Sequence, residues 1–310
     1  VLRKEGILVN KKKVQKIMQK LGLQVTSYTR KSRRYNSYKG KVGRIAPNRI
    51  HRRFYTTVPH QKITTDTTEF KYYEIDEKGR MIIKKLYLDP FLDMYNGEII
   101  SYGVSKTPSA ISVLSAQKKA IEITSDCPYR RTFHSDRGWA YQMPAYSYEL
   151  KENKIFQSMS RKGNCYDNSV MENFFGILKQ EMYYGVVYYS YEELKEAIEK
   201  YIVYYNEQRI KQKLGWMSPV EYRNSLRIAQ AKALLLNNSM SIKDIATYVG
   251  FDDQFYFSRV FKKHFSAPPA RMKRNTAESL SEISKTSPRR GFWFVFNYIP
   301  SIVSTSFTAI

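Results

Sequence analysis

Between residues 62 and 182 the apolar residues change their period, and that change narrows the folds open to the chain. KITTD (62–66), MIIKKLYLD (81–89) and EIISYGV (98–104) are rich in β-branched and aromatic residues and read as strands. Asn96-Gly97 supplies a hairpin turn between the last two. Residues 107–122 then read as a helix opening at Thr107-Pro108. A short strand RTFHSD (131–136), a helix near 143–151, a strand KIFQS (154–158), a loop (160–167) and a long helix from about 168 to 182 follow. Strands that come first as an antiparallel set and then alternate with helices predict an α/β domain, with a mixed sheet covered on both faces. At 310 residues the chain has room for two or three domains.

Asp66 ends the first of these strands, Asp136 ends the fourth, and Glu172 falls in the first turns of the long helix. Side chains at strand ends project into the crevice where open α/β sheets bind ligands. Three carboxylates drawn together there repel one another unless cations neutralise them. Hard oxygen donors without Cys or His suit Mg²⁺ or Mn²⁺, and two such ions about 4 Å apart clamp both oxygens of an in-line phosphoryl displacement. Each acid taken alone reads better as a solvated loop or capping residue; the joint context reverses that. Asp167 and Asn168 are expected to cap the long helix. Asp89 and Asp93 read as structural, and His134 as a buried, hydrogen-bonded ring. Two cysteines, Cys127 and Cys165, and four scattered histidines offer no disulfide framework and no zinc site.

The charge is uneven. The 52 Lys+Arg against 28 Asp+Glu give +24, and residues 1–60 alone hold 17 basic residues and one acid, Glu5. Such a surplus asks for a polyanionic partner, most commonly nucleic acid. VNKKKVQKIMQKLG (9–22) sets Val14, Ile17, Met18 and Leu21 at helical spacing, with lysines including Lys11, Lys12 and Lys13 around them and Gly22 as a stop. In the basic stretch that follows, Arg33, Arg34, Arg52 and Arg53 alternate with Tyr28, Tyr35, Tyr38, Phe54 and Tyr55. A solvated helix and linker would carry the same charge; the interleaved aromatics favour a DNA-tracking segment.

TTDTTEF (64–70), FHSDRGWAY (133–141) and NCYDNSVMENFFGILKQE (164–181) resemble the signature blocks of insertion-sequence transposases with a retroviral-integrase-like catalytic core, of the OrfB type found in copy-out, paste-in elements. YNEQRIKQKLGWMSPVEYR (205–223) resembles their C-terminal block, and LRKEGILVNKKKVQKIMQKLGL (2–23) the end of their N-terminal helical DNA-binding region. The resemblance covers about residues 1–223. It implies a ribonuclease-H-like, five-stranded mixed sheet and strand cleavage and joining dependent on two Mg²⁺ or Mn²⁺ ions. Asp66, Asp136 and Glu172 match the catalytic metal ligands, and Lys179 matches a basic residue that contacts element-end DNA. Further implications are DNA as partner (element ends and target), a homo-oligomer assembled on DNA and a separate upstream-frame DNA-binding protein. Ile63 and Ala140 stand where the family more often carries an aromatic and a glutamine. The resemblance also places Val1 inside the family's N-terminal region. None of these departures removes a metal ligand.

RIAQAKALLLNNSMSIKDIATYVGFDDQFYFSRVFKKHFSAPPARMKR (227–274) holds two helical patterns joined by a turn at Gly250. Ile242, Ile245 and Ala246 form one apolar face. Phe255, Phe257, Val260 and Phe261 are expected to pack the second helix, leaving Asp253, Gln254, Tyr256, Arg259, Lys262 and Lys263 to face outward toward a major groove. The segment resembles the DNA-binding end of arabinose-regulator (AraC) type transcription factors, reduced to the joining helix (about 226–237) and the second helix-turn-helix unit. Ser266 stands where a glycine is usual. A target-choosing domain and a fused remnant both fit this tail; for the whole chain the alternative is a non-enzymatic DNA-binding regulator or an inactive fusion product. The expected organisation is a helical DNA-binding region (1–27), a basic linker (28–60), the catalytic core (61–223), an all-α helix-turn-helix domain (224–275) and a poorly ordered tail (276–310). Residues 291–310 carry no charge, but Asn297, Pro300 and several Ser and Thr argue against a membrane segment. No apolar core follows the N-terminal basic residues, so no signal peptide and a cytoplasmic, nucleoid-associated protein are expected.

Overall fold

The computed structural model describes residues 5–23, 43–237 and 240–274. Arg33, Arg34, the first half of the expected linker and the 276–310 tail lie outside the described residues. The chain divides into two compact units, 1–204 and 205–310.

In the first unit, Asn10 caps α1 (Lys11–Lys20) by accepting from the Lys12 N–H, and the helix closes at Gly22 as its spacing predicts. None of its residues is buried, and Ile17, Met18 and Leu21 are exposed. The sheet has six strand segments: β1 (Lys62–Thr65), β2 (Thr68–Ile75), β3 (Met81–Asp93), β4 (Ile99–Ser105), β5 (Thr132–Ser135) and β6 (Phe156–Met159). β1 and β2 lie end to end along one edge of β3, and β4 runs along the other. The sheet therefore has five strand positions, ordered β4, β3, β1/β2, β5, β6, the first strand being broken at Asp66-Thr67. β3 is antiparallel to its neighbours, whereas β1, β5 and β6 are parallel. This is the ribonuclease-H-like mixed sheet that the resemblance implied. β2 was not among the expected strands. It pairs with β3 over eight residues and alternates buried Thr68, Phe70 and Tyr72 with more exposed Glu69 and Lys71. β3 continues through Pro90, which lies beside a register irregularity at Phe91/Leu92, where a missing N–H is tolerated. The Asn96-Gly97 turn forms, with Gly97 at φ +75 donating its N–H to the Asp93 carbonyl.

The two-residue period sorts the strands' side chains onto two faces. Ile63, Phe91 and Phe133 share one, packed against Val113, Ala116 and Ala120 of α2 (Ala110–Ile123) and Tyr146 and Leu150 of α3 (Pro144–Glu152). Ser109 caps α2, two residues after the expected start. Thr64, His134 and Ser158 point to the other face, toward the 160–168 loop and α4 (Ser169–Leu178). α4 stops short of the expected 182: at Lys179 the helix widens into a π turn (Lys179–Tyr183), whose Tyr183 ring meets Phe70 edge-on at 5.0 Å. α5 (Tyr191–Glu207) follows.

In the second unit, α6 (Pro219–Asn237), α7 (Ile242–Tyr248) and α8 (Gln254–Phe265) close around Ile228, Ala231, Leu235, Ile245, Ala246, Phe257 and Phe261. Ser241 and Asp253 cap α7 and α8, and Gly250, at φ +84, makes the turn. Two features depart from expectation. Phe255 is 80% exposed instead of packing inward. α6 also runs unbroken through the expected 223/224 domain boundary.

α8 ends on Ser266 in the left-handed conformation (φ +58), where a side chain costs energy that glycine does not incur. Ser266→Gly is therefore expected to stabilise the second unit by about 0.5–1 kcal/mol, measured by urea unfolding; a destabilised variant would contradict this.

Candidate active site

Parallel pairing of β1 with β5 sets Thr64 opposite His134. Two residues on, just past the C-terminal ends of both strands, Asp66 and Asp136 are therefore neighbours. The Asp66 carboxyl is pushed well above the usual range, first by burial and then by the Asp136 charge, with Glu172 adding to the repulsion. Burial raises Asp136 as well. Hydrogen bonds orient both groups. Asp66 Oδ1 accepts from the Thr67 N–H at 2.8 Å and Oδ2 from Asn168 Nδ2 at 3.0 Å. Asp136 Oδ1 accepts from the Gly138 N–H at 2.7 Å. A Cβ at Gly138 would stand 2.9 Å from that oxygen, so glycine lets the turn close onto Asp136.

Glu172 occupies the first turn of α4 with its side chain exposed, its carboxyl raised by partial burial. The structure thus brings Asp66 and Asp136 together as a pair and sets Glu172 near them. Among the described residues no three His, Cys, Asp or Glu side chains are arranged to hold one metal ion together. The pair itself suits a hard divalent cation. Its donors are all oxygen, each carboxylate keeps lone pairs beyond its orienting bonds, and a cation would remove the repulsion that raises Asp66.

Asp167 and Asn168 do not cap α4. Buried Asp167 accepts instead from Arg161 Nε at 2.9 Å, Arg52 Nε at 3.0 Å and Asn48 Nδ2 at 2.9 Å, and Arg161 foremost holds its carboxyl far below the usual range. Its backbone carbonyl lies 2.8 Å from His134 Nε2, and Ser158 Oγ lies 2.8 Å from Nδ1. A carbonyl only accepts, so Nε2 carries the proton and Ser158 donates to Nδ1. His134 is the buried, hydrogen-bonded ring that was expected, and burial, which lowers its pKa to about 4, keeps it neutral. Asp89 accepts from Thr67 Oγ1 and Ser112 Oγ, and Asp93 from the backbone N–H groups of His60 and Tyr95, which makes both structural. Sequence reasoning missed Asn168 as a partner of Asp66. It also missed Tyr141, whose buried phenol lies 3.3 Å from Thr67 Oγ1 and is held protonated by burial and by the Asp66, Asp89 and Asp136 charges. The only signal for Tyr141 was its place in the FHSDRGWAY block.

The expected DNA contacts divide. Lys11, Lys12, Lys13 and Arg53 are exposed, as are Gln254, Tyr256, Arg259, Lys262 and Lys263 on α8. Arg52 is instead paired with Asp167 and stacked near the Tyr166 ring. Lys179 donates to the Glu69 carbonyl at 2.9 Å and lies 5.0 Å from the centre of the Phe70 ring. Residues 43–60 are not a free linker. Ala46 donates to Met159 Sδ, Arg49 donates its N–H to Ser158 Oγ, and the Arg49 guanidinium covers the Phe156 ring of β6.

Family models described as integrase core domain match residues 56–165 and 172–226, and one described as helix-turn-helix domain matches 204–275. An uncharacterized transposase-like protein of Haemophilus influenzae is 47% identical over 220 residues, 71% of this chain and 95% of that protein. A putative transposase, InsK, for insertion element IS150 of Escherichia coli K12 is 44% identical over 224 residues, 72% of this chain and 74% of that protein. The chain belongs to the insertion-sequence transposase family. Among solved structures, this transposase is similar to the HTLV-2 integrase catalytic core domain in complex with magnesium, with a TM-score of 0.40 at 18% identity over 53% of this chain and 97% of that one. The helix-turn-helix match fits DNA binding by the second unit.

In the metal-free transposase, Asp66 and Asp136 hold protons more tightly folded than unfolded. Their contribution to stability is fully present below the unfolded value of about 3.9 and is lost as pH rises through the raised folded values. Asp136→Asn, which removes one charge, is expected to raise the metal-free melting temperature at about pH 8 by a few degrees, the gain shrinking toward about pH 4. Mn²⁺ is expected to raise the melting temperature of the parent and not of the variant. Scanning fluorimetry across pH, with and without Mn²⁺, checks both; a lower melting temperature for the metal-free variant at pH 8 would contradict the repulsion.

Proposed function

We propose that this transposase cuts and joins DNA strands at the Asp66–Asp136 crevice with Mg²⁺ or Mn²⁺, two ions being expected, and that Glu172 completes the ligand set. The observation that supports this most is the parallel β1–β5 register, which leaves two carboxylates side by side at the strand ends. Bound there, the ions would activate water or a DNA 3′-hydroxyl and stabilise the leaving oxygen of an in-line displacement. The chain's own part is positional. The strands fix Asp66 and Asp136, while the Thr67 and Gly138 N–H groups hold one oxygen of each. Glu172, exposed on the first turn of α4, joins by turning its side chain once the repulsion is neutralised. Tyr141 stays protonated and adds no further negative charge.

DNA is the partner on this reading. Lys11, Lys12, Lys13, Arg33, Arg34, Arg53 and Lys179 serve the phosphate backbone, and Gln254, Arg259, Lys262 and Lys263 on α8 face a groove, with Tyr256 and exposed Phe255 beside them. A homo-oligomer on DNA, a separate upstream-frame protein and a nucleoid location belong to the same reading. No described helix is long and apolar enough to cross a membrane. The transposase relatives favour this reading over a regulator without chemistry.

A strand-transfer assay on element-end DNA, with and without divalent metal, tests the chemistry. Metal-dependent products are expected from the parent, with a loss of at least about a hundredfold in Asp66→Asn and in Asp136→Asn; unchanged nicking by either variant would overturn it. For the second unit, Arg259→Ala is expected to weaken binding to duplex DNA and to flatten the plot of log affinity against log salt by about 0.9. Titrations at several salt concentrations measure this, and an unchanged slope would take Arg259 out of the DNA interface.

A further inference from the structure

Asn168 is 4% exposed and sits between the two elements that carry Asp66 and Glu172. Its Oδ1 accepts from the Thr64 hydroxyl at 3.0 Å, two residues before Asp66. Its Nδ2 donates to Asp66 Oδ2 at 3.0 Å. On its C-terminal side α4 begins at once, and Glu172 follows one turn later. An Asn immediately before a helix ordinarily turns its side chain onto the helix's first N–H groups. Here it makes no such bond and is turned sideways onto β1.

Its surroundings keep it there. Thr64 is 1% exposed and, as part of β1, is held in register with β5 and β3. On the preceding residue, the Asp167 carboxylate is gripped by Arg161, Arg52 and Asn48, and its carbonyl by His134. The backbone entering α4 is thus pinned one residue before Asn168, and the amide spans the remaining gap to the strand.

We propose that Asn168 is a positioning residue for the strand-transfer centre: it orients the Asp66 carboxylate and sets the spacing between Asp66 on β1 and Glu172 on α4. The inference rests on the metal reading above. Groups that orient metal ligands in this way are typically worth about 10–100-fold in metal affinity. Thr64 belongs to the same device, because its hydroxyl donates to Asn168 Oδ1 and so anchors the amide whose Nδ2 faces Asp66.

The test is calorimetric titration of Mn²⁺ into the full chain, for the parent, Asn168→Ala, Thr64→Val and Thr64→Ser, together with strand-transfer kcat and KM for element-end DNA. Asn168→Ala is expected to weaken Mn²⁺ binding by about tenfold or more. Thr64→Val, close to the parent in shape, should act in the same direction, and Thr64→Ser, which keeps the hydroxyl, should restore parental binding. kcat is expected to fall in step while KM for DNA holds. If Asn168→Ala does not fold, the Val–Ser comparison at Thr64 carries the test. Binding within roughly twofold of the parent in Asn168→Ala, or in Thr64→Val if only that pair can be read, would overturn the inference alone. A parent that takes up no Mn²⁺ would overturn the metal reading and this inference with it.

Discussion

Two carboxylates placed side by side by parallel strands and shut away from water are costly to charge together. Asp66 and Asp136 each follow the last paired residue of a buried strand. Each has one oxygen fixed by a backbone N–H, and the charges that Asp66 feels are those of Asp136 and Glu172. Asp167 is the instructive contrast. It too is buried, but two guanidinium groups and an amide surround it, and its carboxyl is driven down rather than up. The same residue type is satisfied at one position and left in conflict at another, and Asn168, next to the first, bonds the second. Unrelieved repulsion of this kind is what a site built to receive cations has before they arrive.

Tension at the pair gives the surrounding neutral groups their meaning. Tyr141, Thr67, Asn168 and the Gly138 N–H supply hydrogen bonds without adding charge. His134, two residues before Asp136, is kept neutral by burial and used up in bonds to Ser158 and Asp167. A protonated imidazole there would have partly relieved the repulsion and competed with a metal. The buried ring instead serves the loop that delivers Asn168.

Much of this was legible in the residues. Strand-like runs ending in Asp66 and Asp136 announced the crevice, because strand period and chain direction fix where such side chains emerge. The helix-turn-helix was legible from Ile245, Ala246, Gly250 and Phe261. What stayed hidden depends on partners distant in the chain. β2 carries Glu69, Lys71 and Glu74 among its apolar residues and declares itself only by pairing with β3. Asn168 precedes an apolar helix and looks like a cap, and only Thr64, 104 positions away, shows why its side chain turns elsewhere. Arg52 counts as surface charge in any composition, yet buried Asp167 claims it. Lys179 lies two regular turns from Glu172, and only the fold shows that its ammonium bonds the Glu69 carbonyl beside the Phe70 ring. Phe255 was assigned to the core on hydrophobicity alone; Phe251, Phe257 and Phe261 already fill that space.

The expected boundary at 223/224 falls within a single helix, α6. Linkers separate domains when few contacts cross them. Here residues 219–237 form one helix, and both the integrase-core match, ending at 226, and the helix-turn-helix match, beginning at 204, include its first part. Asn224, within the integrase-core match, approaches the Tyr256 hydroxyl of α8 at 3.4 Å. Arg227, one residue beyond that match, donates to the Gly250 carbonyl in the turn before α8 at 2.8 Å. The later turns of the same helix supply Ile228, Ala231 and Leu235 to the helix-turn-helix core. A fused tail joined through a flexible tether would be free to sample DNA on its own. A tail sharing a helix cannot be removed at 223 without unravelling the element that also forms its own core, so α6 is common property of both sequence families rather than a seam between them.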